Sequence, residues 1–186
     1  MKCFYKLPCE QLGAIQEETL EYLTNHTSFL IEDSGHLWNK IHTADYIKRC
    51  PTLFQYCKSL NLKIKEISFT VVWETTDINL HIDELPVVAK INFPILNTQG
   101  SLNSWYKVPD ELFQQYSPQI NMFNQKYHNF KDIDLSACEL IEETELDQPM
   151  VFNSQLPHTV KMPSNATFPR IVMPVMFFNE PLHYLK

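Results

Sequence analysis

His81 and Asp83 stand two positions apart at the head of the stretch LHIDELPVVAKINFPILNTQGSLNSWY, residues 80–106. Successive side chains of a strand point to opposite faces. In an extended segment His81 and Asp83 therefore share one face and Ile82 takes the other. An imidazole beside a carboxylate offers two ligands for a metal ion, and a third must come from elsewhere in the chain. The plainer reading is a His and an Asp facing water at a strand end. With seven histidines in the chain, an H-x-D tripeptide carries little weight alone.

Two downstream histidines could complete the set, His128 and His158. His128 lies in an Asn/Gln-rich stretch without strand alternation. His158 sits just after an alternating segment, the kind of rigid element that can hold a ligand in place. Two histidines and one carboxylate, with open positions on one side of the metal, suit non-haem Fe(II) working with oxygen. His26, His36 and His42 read as surface or loop histidines, since none has a ligand partner at metal spacing.

Arg170, one of only two arginines, comes twelve positions after His158 in the apolar segment FPRIVMPVMFF. A guanidinium is always charged, so in an apolar strand it is costly unless it meets an anion. The plain reading gives it an internal carboxylate or an edge position facing solvent. The sharper reading is a bidentate clamp on the carboxylate of a substrate or cofactor.

The elements that would position these groups follow from periodicity. Residues 1–60 read as a helical and irregular lead-in. Leu12, Ile15, Tyr22 and Leu23 fall on one helical face. Thr43 is a candidate N-cap of a second helix, which Cys50-Pro51 interrupts, and Pro51 can begin a third. Between them Asn25, Asp33, Ser34 and Gly35 form turns around the patch Phe29-Leu30-Ile31. From Leu62 the period becomes two: Ile67, Phe69, Val71 and Trp73 alternate with Ser68, Thr70 and Val72. In the next strand, 87–95, Ala89, Ile91, Phe93 and Ile95 share one face, and Val88, Lys90 and Asn92 share the other. Pro94 marks a bend or an edge there.

Asn97-Thr98-Gln99-Gly100 is a reverse-turn sequence. It predicts that residues 101–108 return antiparallel to the preceding strand, with Trp105 and Tyr106 alongside it. Residues 107–135 break the rhythm, hold one helical candidate at 109–116, and read as a lid or binding loop over the site. Strands resume at 138–144 and 150–152, and the last strong one is 168–178. Seven or eight strands after a helical lead-in predict one mainly β domain with flanking helices. The two-sheet sandwich or jelly-roll core would span 62–178, with 107–135 inserted.

Composition bounds the class. A chain of 186 residues, 44 % apolar and 12 % aromatic, suits a single folded domain. A net charge of −7 argues against a dedicated nucleic-acid binder. No apolar run approaches the ~20 residues of a membrane span. MKCFYKLPCEQ lacks the apolar core of a signal peptide, so a cytoplasmic location is expected. The five cysteines are odd in number and lack short C-x₂₋₄-C spacing. They read as free, reduced thiols rather than a zinc site.

The order His81-x-Asp83, then His158, then Arg170 resembles the 2-oxoglutarate/Fe(II)-dependent dioxygenase superfamily. The segment NFPILNTQGSLNSWY also looks like the second core strand and hairpin of its prolyl-hydroxylase-like and phytanoyl-type branches. The resemblance covers roughly residues 64–178. It implies a double-stranded β-helix, the jelly-roll core of that superfamily, with Fe(II) bound by His81, Asp83 and His158. It also implies that 2-oxoglutarate chelates the metal and rests its far carboxylate on Arg170. O₂ would then convert it to succinate and CO₂ as an unactivated C–H of a peptide side chain or small metabolite is hydroxylated.

Many members carry Arg-x-Ser, where this chain has Arg170-Ile171-Val172. Tyr106 or Asn92 is therefore expected to supply the second cofactor contact. No second arginine follows Arg170, which with the acidic charge disfavours the nucleobase-demethylating branch. Two other readings stand beside this one. A cupin-like metal isomerase or small-molecule binder usually carries H-x-H and flanking glycines, a poor fit to His81-Ile82-Asp83 and three glycines. A non-catalytic jelly-roll interaction protein would pair Arg170 with an internal acid.

Overall fold

The computed structural model of the chain describes residues 1–28, 30, 36–75, 77–83, 87–120 and 126–186. Phe29, Ile31 and the expected turn residues Asp33, Ser34 and Gly35 lie outside the described residues, as does 121–125 within the insertion. In chain order the strands are β1 (Phe4–Lys6), β2 (His36–Lys40), β3 (Ile64–Val72), β4 (Ile78–Ile82), β5 (Ala89–Leu96), β6 (Leu102–Lys107), β7 (Gln119–Ile120), β8 (Lys126–Asn129), β9 (Glu139–Glu145), β10 (Met150–Asn153), β11 (His158–Lys161) and β12 (Arg170–Phe177). The helices are α1 (Leu12–His26), α2 (Thr43–Arg49), α3 (Pro51–Ser59) and α4 (Asp110–Phe113). The described strands form two antiparallel six-stranded sheets, ordered β1-β10-β5-β12-β3-β2 and β7-β8-β4-β11-β6-β9.

Alternation sorts the two faces of the first sheet. Ile67, Phe69 and Val71 of β3, Ala89, Ile91, Phe93 and Ile95 of β5, and Ile171, Met173, Val175 and Phe177 of β12 belong to one buried cluster. Ile15, Tyr22 and Leu23 of α1, Tyr46 of α2, and Leu53, Tyr56 and Cys57 of α3 close that cluster from outside. Phe93 shows how the layers lock, since its ring meets Tyr56 edge-on at 5.9 Å. Burying one such side chain contributes about 1.5–3 kcal/mol. The opposite face of the same strands is different in kind. Ser68, Thr70 and Val72, Lys90 and Asn92, and Arg170, Val172, Pro174 and Met176 all line a cavity. One face of this sheet holds the core and the other lines the cavity.

Four local expectations need correction. Residues 102–107 do not return beside β5, because β5 is already flanked by β10 and β12; β6 instead lies in the second sheet, between β11 and β9. The turn is real, with Asn97 and Gly100 at φ 51° and 73°, but it carries the chain across to the other sheet. Pro94 is not at an edge either. It sits in a central strand, where the ladder to β12 slips between Ile171 and Val172. That irregularity tolerates its missing N–H, and its carbonyl accepts from Gln16 Nε2 at 2.9 Å.

The cap of α2 is His42, whose Nδ1 accepts from Asp45 N at 3.2 Å. Thr43 Oγ1 instead accepts from Ile67 N at 3.3 Å. Finally, the lead-in contributes β1 and β2 at the two edges of the first sheet, so the described strands outnumber the seven or eight expected. All five cysteines are free. Among the described residues no helix is long and apolar enough to cross a membrane.

Candidate metal centre

β4 and β11 are neighbours in the second sheet, and their antiparallel register sets His158 opposite His81. Asp83 follows one residue after β4, its N–H donating to Ser154 O at 3.1 Å. One ligand atom from each of His81, Asp83 and His158 lies within 4.8 Å of the other two. The Asp83 carboxylate stands 3.8 Å from His81 Nε2 and 3.7 Å from His158 Nε2. The imidazole centroids are 4.2 Å apart.

Each ring is oriented through its other nitrogen. His81 Nδ1 is 2.7 Å from Asn79 O, and His158 Nδ1 is 2.8 Å from Leu156 O. A carbonyl can only accept, so Nδ1 carries the proton and the Nε2 lone pair is free. Metal-binding histidines are commonly fixed in this way. His158 is buried, and its pKa is pushed down to about 3, first by burial and then by His81. Near neutral pH it is uncharged. Its approach to Asp83 is therefore a meeting of two lone-pair donors, which calls for a cation between them.

A cation from the protein is already at hand. The Lys90 ammonium donates to Asp83 Oδ2. Burial works against ionisation of Asp83, but Lys90, and after it His158 and His81, outweigh it and hold the carboxyl well below its usual range. Two imidazole nitrogens and an ionised carboxylate fit a first-row divalent ion.

The cavity between the sheets has a volume of about 720 Å³ and is lined by all three residues together with Lys90, Asn92 and Arg170. That volume lies in the range of small-molecule sites and exceeds what a single metal ion would fill. Arg170 is 2 % exposed. Burial lowers its pKa to about 10, so it stays charged at neutral pH. Its Nε donates to Ser101 Oγ at 3.1 Å, and none of the described carboxylates pairs with it.

Of the two residues expected to make a second cofactor contact, only Asn92 is on the cavity wall. Tyr106 packs with Leu80, Ile82, Val108 and Phe130 on the opposite face of the second sheet. The register slip between Trp105 and Tyr106 in the ladder to β9 lies at that point. His128 also faces away, its ring 5.3 Å from Phe113 and 6.3 Å from Phe130. Its neighbours Tyr127 and Asn129 line the cavity instead, as does Trp38 of β2. The insertion and the lead-in thus both contribute to the cavity wall. His128→Ala should leave metal affinity within about threefold of the parent, measured by calorimetric titration. A larger loss would bring His128 back as a ligand.

Sequence reasoning missed Lys90 and Ser101 as parts of the site. Lys90 carried the same signal as Arg170, a charge on one face of an otherwise apolar strand. Ser101 had none, since its role depends on the turn that brings it beside Arg170. No family model and no curated protein matches the chain.

Proposed function

We propose that this chain is an Fe(II)- and 2-oxoglutarate-dependent oxygenase that hydroxylates an unactivated C–H bond, built on a jelly-roll core. One observation carries the reading. Two histidines and a carboxylate converge in a cavity that also exposes a buried arginine without a carboxylate partner among the described residues. The order of the strands supports the core assignment. Successive strands β3, β4, β5 and β6 alternate between sheets, as do β9, β10, β11 and β12. Two interleaved four-stranded layers are what a jelly roll produces.

The roles follow from the chemistry of each group. His81, Asp83 and His158 would hold the iron and leave its remaining positions open on the cavity side. Arg170 would take the far carboxylate of 2-oxoglutarate, held in place by Ser101, and Asn92 is the wall residue left to make a second contact. Bound iron would supply oxygen activation coupled to loss of CO₂ from the cosubstrate.

The test is direct. Under argon, adding 2-oxoglutarate to the Fe(II)-loaded protein should produce a visible charge-transfer absorption. Admitting oxygen should then release succinate. Metal uptake without a 2-oxoglutarate-dependent band would point to a cupin-like metal protein, and no metal uptake would point to an interaction protein. Either result removes the oxygenase reading.

A further inference from the structure

Lys90 has no task in the roles just given. It projects from β5 on the same face as Asn92. Asn92 pairs with Pro174, four residues along β12 from Arg170, and Lys90 lies two residues further on. Lys90 thus stands six strand positions from Arg170, beside the ligand Asp83.

The charge balance makes Lys90 conspicuous. The two positive charges of a divalent ion and the one on Arg170 are met by Asp83 and the two carboxylates of 2-oxoglutarate. Among the described residues Lys90 is then a surplus cation, with its side chain only 16 % exposed. Glu74 and Asp77 also border the cavity, but both are exposed at its rim, and Asp77 Oδ1 already accepts from Met162 N at 2.9 Å. A buried charge is costly unless it is paired. The surroundings say what kind of partner fits. Lys90 Nζ lies 5.5 Å from the centroid of the Phe152 ring, and Val87 and Met176 line the same cavity. The Ser68 hydroxyl, 1 % exposed and lining the same cavity, has no hydrogen-bond partner among the described residues.

We infer that Lys90 anchors the substrate, and that the substrate is a small organic carboxylate with an apolar body. A single negative charge matches the single surplus cation, which a phosphate dianion would overshoot. With Asp83 committed to a bound metal ion, the Lys90 ammonium would be free to meet the incoming carboxylate. The apolar body lies along Phe152 and Met176, and Ser68 offers a polar contact across the floor. This rests on the oxygenase reading and narrows its substrate class.

The experiment uses protein loaded with Fe(II) and 2-oxoglutarate under argon. It is titrated calorimetrically with a panel of straight-chain, branched and aryl monocarboxylic acids, and with the primary amide of each. At least one acid should bind the parent, with its amide weaker by about thirtyfold or more. Lys90→Met should erase that preference, and Lys90→Arg should keep most of it. Acids and amides binding alike, no acid binding at all, or a preference surviving in Lys90→Met would each overturn the inference while leaving the oxygenase reading intact. Parent protein that takes up no Fe(II) or no 2-oxoglutarate would remove both. Iron affinity of Lys90→Met is the control for a structural role. It should not fall, because a competing cation has been removed. A loss beyond about tenfold would make Lys90 a positioning residue for Asp83 and overturn the assignment.

Discussion

Replacing His158 with alanine should weaken Fe(II) binding by about a hundredfold or more. Structural sites with four ligands bind zinc with about 10–16 kcal/mol, roughly 3 kcal/mol per ligand, and each 1.4 kcal/mol is tenfold in affinity. His158 is the ligand to choose because it is the most buried of the three and its Nδ1 proton is already committed to Leu156 O. It touches Phe152 edge-on at 4.6 Å but belongs to none of the apolar clusters, so the fold should survive its loss. Thermal unfolding gives an independent readout. Metal at a hundred times its Kd stabilises the parent by about 2.7 kcal/mol. For a chain of 186 residues that is a rise in Tm of roughly 5–10 °C. At the same metal concentration His158→Ala should show almost none. A variant that binds iron like the parent would exclude His158 from the ligand set.

The parts of this architecture that were legible in the sequence are those governed by local periodicity. The alternation in β3 and β5 separated Ile67, Phe69, Val71, Ala89, Ile91 and Phe93 from Ser68, Thr70, Lys90 and Asn92, and those two sets face the helices and the cavity. The H-x-D spacing likewise placed His81 and Asp83 on one face, because a two-residue period leaves no other choice. What was hidden is set across space. A turn such as Asn97–Gly100 reads the same whether the chain doubles back in one sheet or crosses to another. Only the occupied flanks of β5 decide between them. The edge strands β1 and β2 are three and five residues long, too short to establish a period. The Lys90–Asp83 contact joins opposing sheets, so no spacing along the chain reports it. Tyr106, expected to replace the missing serine of Arg-x-Ser, lies on the far face because β6 belongs to the other sheet.

Replacing Arg170 with glutamine should weaken 2-oxoglutarate binding by about a hundredfold or more and leave Fe(II) affinity nearly unchanged. A guanidinium that meets a carboxylate in a fork makes two charge-assisted hydrogen bonds of about 1.5–3 kcal/mol each. Losing both is at least two orders of magnitude in affinity. The geometry favours so large an effect because Nε is already committed to Ser101 Oγ and no described carboxylate competes for the rest of the guanidinium. Among the described residues of the free protein the charge is buried and unpaired, which is costly. Arg170→Gln should therefore be at least as resistant to urea as the parent, a result that an internal ion pair would reverse. Lysine should recover only part of the cosubstrate affinity, since a point charge on a flexible stem cannot reproduce the planar fork. Titrations of the Fe(II)-loaded parent, Arg170→Gln and Arg170→Lys with 2-oxoglutarate under argon measure all three constants. Equal affinity in parent and Arg170→Gln would move the clamp elsewhere in the cavity, to Lys90 first, as the other cation on its wall.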